Sequence, residues 1–517
     1  MLVSAYADLV LLEGKIITMN PNQPNAEAVA VKGNKIIQVD TNEAVSKLIG
    51  KDTKIIRLNG KTVLPGFIDT HIHLADYGRL LTWLNLENAN SIQQIQNLLS
   101  QRIKQTDKGK WILGRGWDQQ CLAEKRAPTR FELDEFSPEN PVVLYHQSGQ
   151  VCIVNSKALE IAKVNQQAGA GVEKNPQTGE PTGILRDDAT NLVWQVIPEP
   201  TQEELYNATC MALEKVVEAG VTSIHWIVFS EAELPIIEKL AETGALRLRV
   251  YLIVPANLLD KALPTLKNLK TELLKFGGAI IFADGYLASR SAALLEPYSD
   301  DQKEQGKLLY PNSEMLKLAN KIRQAGLQLV IHAVGDKAVD EALTVIEKTV
   351  RQSSLHLCPR LEQAAVLNEE LVERINKQQV VVSVQPCVVA SEFSVWSAAN
   401  RLGEKRAKWL FPVKTLLENG VRVAAGSDCP MEPLSPLLGI EAAVKRGEQQ
   451  VSVEDALRMY TVNAAYASFE EQIKGSIEVG KLADFTILSN DPQSAEKIKE
   501  ISVCMVVLDG KIICSKN

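Results

Sequence analysis

The chain has 517 residues, 45% of them hydrophobic and 23% charged, which is ordinary globular usage with ample material for a large core. That composition excludes a disordered, collagenous or membrane-spanning chain. Lys and Arg number 56 against 63 Asp and Glu, a net charge of −7 with no basic run, so neither nucleic acid nor an anionic membrane is an expected partner.

The first 65 residues read as a β-meander. Ala7–Leu12, Lys15–Met19, Ala28–Lys32, Lys35–Val39 and Lys54–Asn59 are rich in Val and Ile and are separated by turn pairs such as Gly33-Asn34 and Asn59-Gly60. The opening residues lack a basic stretch and a cleavage site, and Asp8 interrupts their apolar run, so a cytoplasmic location is expected. From about 66 to 470 strand-like and helix-like segments alternate. Val63–Ile68, Val221–His225, Leu248–Val254, Ala279–Ala283, Gln328–His332, Val380–Gln385 and Val421–Ala425 read as strands. Glu203–Ala219, Ser313–Ala325, Lys337–Val350, Asn368–Lys377 and Val453–Tyr460 read as helices. Such alternation indicates parallel β/α units, hence a barrel or a doubly wound sheet. Residues 86–190 are less regular and read as an insertion after the first barrel strand. Gly475–Leu488 and Ser502–Ile513 return to the strand grammar of the beginning. The two ends are therefore expected to pair into one discontinuous β-domain, 1–65 with 471–517, around a 66–470 barrel.

Eight cysteines include no Cys-x-x-Cys pair, which argues for reduced thiols and against a zinc ribbon. Histidine is scarce: His71, His73, His146, His225, His332 and His356 are all there are. The most informative segment is Val63–Leu74, which ends Asp69-Thr-His-Ile-His-Leu. On a strand, side chains alternate faces, so Asp69, His71 and His73 share one side at about 6–7 Å spacing, and two imidazoles there can meet one cation. His332 closes another apolar strand and suits a third ligand. Asp428, in Gly426-Ser-Asp-Cys-Pro, closes a third, where a carboxylate can both ligate and take a proton from water; a turn or cap aspartate would read the same way. Three imidazoles and one carboxylate make a reasonable mononuclear site for zinc, with iron or manganese as alternatives. His146 lies in the insertion; His225 and His356 read as structural. No Gly-x-Gly-x-x-Gly or Walker loop follows a strand, and no Gly-x-Ser-x-Gly elbow occurs.

Taken together, Pro65–His73, Gly116-Trp-Asp, Val154–Leu159, Phe282–Arg290, His332–Ala338, Gly426–Pro430 and Lys474–Asp484 resemble, in order and spacing, the amidohydrolase superfamily. The likeness is to the branch that includes N-substituted formamide deformylase. The resemblance implies a distorted (β/α)8 TIM barrel with a β-sandwich built from both termini. It implies His71 and His73 as strand-one ligands, His332 as the strand-five ligand, and Asp428 as the strand-eight ligand and proton shuttle. The activity it implies is hydrolysis of a non-peptide C–N bond in a small molecule (an amide, formamide or cyclic amide) by metal-activated water. A homodimer is also within its range.

The chain departs from that pattern at three places. Where many members carry a bridging carboxylated lysine, four residues before Asp284, this chain has Ile280. The strand-six histidine is replaced by Gln363, and the histidine before Asn-Ser-Lys-Ala-Leu by Gln150. One metal is therefore expected rather than two. Asp284, Arg290, Gln150 and Gln363 are the candidate substrate-facing residues. The alternative is a divergent barrel that has lost hydrolysis and binds a small molecule or performs metal-free chemistry. Trp83, Trp117, Trp194, Tyr286 and Trp396 could line an apolar pocket or simply pack.

Overall fold

The computed structural model describes residues 6–164, 171–269, 271–350, 357–388 and 397–516. His356 and Trp396 lie outside them. The chain separates into two compact units, 1–77 with 209–517, and 78–208.

The larger unit contains a parallel eight-stranded sheet that curls toward closure. Its strands are β1 (Phe67–Ile72), β2 (Val221–Ile227), β3 (Arg249–Pro255), β4 (Leu274–Phe282), β5 (Gln328–Ala333), β6 (Arg360–Gln363), β7 (Val381–Val384) and β8 (Val423–Ala425), hydrogen-bonded in sequence order. The seam between β1 and the end of β8 is held by an isolated parallel bridge, Ile72 to Cys429, and by Asp428 N donating to His71 O at 2.7 Å and His73 N to Cys429 O at 2.9 Å. β3 and β5 carry near-continuous runs of Val, Ile and Leu because a barrel strand is buried on both faces.

Two strand readings change. The Val63–Ile68 run is split: Thr62–Pro65 belongs to another sheet, and β1 starts at Phe67. Gly66 permits the handover, since a Cβ there would sit 2.1 Å from Thr222 Oγ1. The sixth strand, Arg360–Gln363, has no apolar pattern to announce it: Arg360, Glu362 and Gln363 are all buried.

The termini supply two more sheets to the same unit. One runs in the order Lys511–Ser515, Val503–Leu508, Phe485–Leu488, Thr62–Pro65, Lys15–Ile17, Asn25–Ala26. The other runs Lys35–Asp40, Ala28–Lys32, Leu9–Leu12, Lys54–Arg57. Leu11, Val29 and Val31 from one sheet, and Ile16, Val63, Phe485 and Val507 from the other, share a single apolar cluster, as in a sandwich. A buried fork ties this layer to the barrel: Arg249, at the start of β3, donates Nε to Asp484 Oδ2 at 2.7 Å and Nη2 to Asp484 Oδ1 at 3.1 Å. The fold is thus an α/β TIM-type barrel with an additional sandwich built from both chain ends.

The smaller unit has its own six-stranded sheet, ordered Val172–Lys174, Pro181–Arg186, Val151–Val154, Val142–His146, Ile112–Trp117, Leu84–Asn85. Trp117 is buried there and donates its indole N–H to Leu144 O at 2.8 Å. Trp83, Tyr145 and Trp194 form a ring cluster with centroids 5.8–6.2 Å apart. Among the described residues, no helix is long and apolar enough to cross a membrane.

Candidate metal centre

In a parallel barrel the carboxyl ends of the strands point to one face, where loops are free to carry function. His71 sits on β1, His73 just beyond it, and Asp428 just beyond β8. Their ligand atoms lie within 4.8 Å of one another, and all three residues are buried. His71 Nε2 is 3.4 Å and His73 Nε2 3.3 Å from the same oxygen, Asp428 Oδ1. Asp428 adopts φ 62°, a left-handed conformation that aspartate tolerates better than most residues. Gly426 lets the β8 loop reach β1, because a Cβ there would lie 2.3 Å from His71 N.

What lies behind the imidazoles decides which nitrogen is offered. His71 Nδ1 donates to Glu362 Oε2 at 2.7 Å, and His73 Nδ1 donates to the carbonyl of Ile227 at 3.0 Å. A carbonyl and a carboxylate only accept, so each Nδ1 carries the proton and each Nε2 presents its lone pair toward Asp428. Donor set, tautomers and convergence suit a divalent cation of the zinc type.

Glu362 is itself paired with Arg360 Nε. Arg360 is fully buried and also donates to His225 Nδ1 at 2.6 Å, to Ser383 Oγ at 3.1 Å and to Thr70 O. Burial raises the cost of a charged Glu362, but Arg360 and His71 outweigh it and hold the carboxyl below its usual range. Burial likewise opposes a charged His71, yet the Asp428 and Glu362 carboxylates win and raise its pKa. Asp428 is lowered by the surrounding histidines against its own burial cost. The site's field therefore favours a positive charge. His225 is kept neutral by burial and by Arg360, which fits a packing role.

His332 stands on β5, in register with Phe282 of β4 and Glu362 of β6. It lies outside the 4.8 Å group, although its buried Nδ1 has no hydrogen-bond partner among the described residues. Burial, reinforced by His71, pushes its pKa down to about 4, so it is a neutral imidazole with a lone pair to offer. Asp69, which shares the face of the two histidines in the sequence pattern, works as a strut. Its Oδ1 accepts from His71 N at 3.1 Å and Ser427 N at 2.9 Å, fastening β1 to the residue before Asp428.

The remaining candidates are dispersed. Gln363 is at the centre: its Nε2 donates to Asp428 Oδ2 at 3.3 Å. Asp284 is buried and accepts three backbone N–H groups, Ala293 at 2.8 Å and Val334 and Gly335 at 2.9 Å each, and burial lifts its pKa to about 6. It fixes the loop after β4 to the end of β5. Arg290 faces Asp300 as a two-pronged pair at 3.2 and 3.0 Å. Gln150 belongs to the smaller unit, in an exposed turn where its backbone N–H meets Ser148 Oγ at 3.3 Å. Ile280 is buried against Ile227, Tyr251, Ile253 and Val330, and Lys275, the nearest upstream lysine, donates to Ser468 O at 2.8 Å.

Sequence reading missed the residues that support the ligands. Phe229 lies flat on His73, ring centroids 3.8 Å apart and planes at 9°. Glu233 clamps the Phe229 loop by accepting from Phe229 N at 2.8 Å, Ser230 N at 2.9 Å and Trp226 Nε1 at 3.0 Å. A Ser-x-x-Glu capping pattern at 230–233 was the available signal for Glu233.

The profile of the Amidohydrolase family matches residues 54–514. The chain belongs to the amidohydrolase family. Over 98% of its length it is 32% identical to the protein YtcJ of Bacillus subtilis (strain 168), covering 99% of that protein. It is 27% identical to the N-substituted formamide deformylase of Arthrobacter pascens, over 97% of each chain. The crystal structure of an uncharacterized metal-dependent hydrolase from Pyrococcus furiosus superposes with a TM-score of 0.78 at 29% identity, covering 94% of this chain and 100% of that one. This amidohydrolase is thus a hydrolase of the amidohydrolase type with a candidate metal triad at its barrel mouth.

Proposed function

We propose that this amidohydrolase hydrolyses a non-peptide C–N bond of a small molecule, an amide, formamide or cyclic amide. One divalent ion, zinc foremost, would be held by His71, His73 and Asp428, with His332 as the further ligand. The observation that carries this reading is the convergence of three buried donors within 4.8 Å, with both imidazole Nδ1 atoms tied back. When bound, such an ion polarises the substrate carbonyl and lowers the pKa of water beside it.

The chain's own residues supply the rest. Glu362 and the Ile227 carbonyl fix the orientation of the two imidazoles. Asp428 is the ionised carboxylate nearest the reacting region, placed to take the proton of the attacking water and return it to the departing nitrogen. Gln363 orients Asp428 through Oδ2 and, having no titratable proton, leaves the shuttle to Asp428 alone.

Ile280 and Gln363 favour a second reading, a barrel that binds a small molecule without hydrolysing it. A panel of N-acyl amines, formamides and cyclic ureas, assayed with protein of known metal content, separates the two. Turnover of any panel member that is lost in Asp428→Asn supports hydrolysis. Metal-loaded protein that binds panel members and turns over none supports the second reading.

A further inference from the structure

Resting on the reading above, we propose that the substrate carries a flat apolar group, aromatic in the favoured case, next to the bond that is cleaved. That group would lie against a wall formed by Phe229, Phe282 and Tyr286.

Aromatic rings flank the polar cluster. Phe229 covers the face of His73, and its ring is 6.4 Å from Phe282 with planes at 27°. Phe282 is 5.4 Å from the ring of His332, and Tyr286 is 5.7 Å from the same ring. The three aromatic residues thus run from one candidate ligand to another. Phe229 follows the end of β2, Phe282 ends β4, and Tyr286 is in the loop after it, so all three are at the carboxyl ends of the strands. Phe229 remains 41% exposed and Tyr286 49%, far more than aromatic packing against a buried centre requires. Half-exposed rings beside convergent polar groups are the mark of a ligand wall.

The wall is pre-formed. Glu233 holds the Phe229 backbone, and the Tyr286 turn is closed by Ser291 Oγ accepting from Tyr286 N at 2.9 Å and by Ser291 N donating to Tyr286 O at 3.0 Å. A ligand ring therefore meets surfaces that need no ordering on binding. Below Phe282, Ile280 joins the buried Ile227, Ile253 and Val330. The position that departs from the two-metal pattern continues the apolar surface.

The test uses two formamides with the same reacting group, N-(2-phenylethyl)formamide and N-ethylformamide, on metal-loaded enzyme. The wild type is expected to favour the phenylethyl compound roughly ten- to hundred-fold in kcat/KM, the range that apolar pocket contacts supply. Tyr286→Ala and Phe229→Ala should each shrink that ratio several-fold, chiefly through KM, while Tyr286→Phe should keep it. Calorimetric binding of 2-phenylethylamine against ethylamine gives a readout that does not depend on turnover. Hydrolysis of both formamides at equal kcat/KM would overturn the wall and leave the hydrolase reading standing. Absence of turnover, with tighter binding of the phenyl compound that Tyr286→Ala abolishes, would support the wall and count against hydrolysis. Equal binding without turnover would overturn the wall as well.

Discussion

Glu362 joins the stability of the barrel to the affinity of its centre, and Glu362→Gln separates the two. The substitution preserves shape but removes the one anion between buried Arg360 and His71. The carboxamide has a single accepting oxygen, so either Arg360 Nε or His71 Nδ1 then faces an N–H donor. Breaking one partner of a buried ion pair costs about 3–5 kcal/mol. Arg360 keeps His225, Thr70 and Ser383 as partners, which places the expected loss near the lower end, about 3 kcal/mol. His71 also loses the contact that fixes its tautomer, and second-shell changes of this kind weaken metal binding about ten- to hundred-fold. Urea unfolding of stripped protein at pH 7 reads the first effect, and competition against a chromophoric chelator reads the second. Lower stability with zinc affinity within two-fold of wild type would refute the orienting role of Glu362. Unchanged stability would refute the charge compensation of Arg360.

Two further outcomes follow from buried groups away from the ligands. Burial pushes the Glu233 carboxyl from 4.5 up to about 7, so the folded state keeps this proton to higher pH than the unfolded chain does. Its stabilising effect is complete below about 4.5 and is lost as pH rises toward 7, so wild-type stability relative to Glu233→Gln should fall across that window by up to ~3 kcal/mol. A difference that stays flat from pH 4.5 to 7 contradicts this. Ile280→Ala should leave a cavity among Ile227, Ile253 and Val330 and cost about 2–5 kcal/mol by denaturant titration, with metal stoichiometry unchanged. A loss below about 1 kcal/mol, or an altered metal content, would show that Ile280 does not sit in a packed apolar floor.

The barrel was readable where burial on both faces left an apolar run, as at Leu329–Ile331 and Leu252–Val254. It was unreadable at Arg360–Gln363, because the charges of Arg360 and Glu362 cancel each other inside the barrel, a compensation that no local pattern reveals. The same holds for the centre. His71, His73 and Asp428 are at strand ends that the sequence marks, and the structure brings them together. Their supports come from elsewhere in the chain: Glu362 is 291 residues from His71, and the carbonyl of Ile227 is 154 residues from His73. Such neighbours are set by strand order around the barrel, which must be known before they can be found. Asp284 and Arg290 looked like substrate-facing residues because they are polar and sit near a strand end. In the structure both Asp284 oxygens accept backbone N–H groups, and Arg290 turns Nε and Nη2 to Asp300.

The proposed centre on His71, His73 and Asp428 holds a single metal ion. Elemental analysis of purified protein, before and after reconstitution with zinc, iron or manganese, tests it most directly. About one ion per chain is expected in the wild type, falling to well under one in His71→Ala and in Asp428→Asn while both variants remain folded by circular dichroism. Two ions per chain, or a folded protein that takes up none after reconstitution, would contradict it.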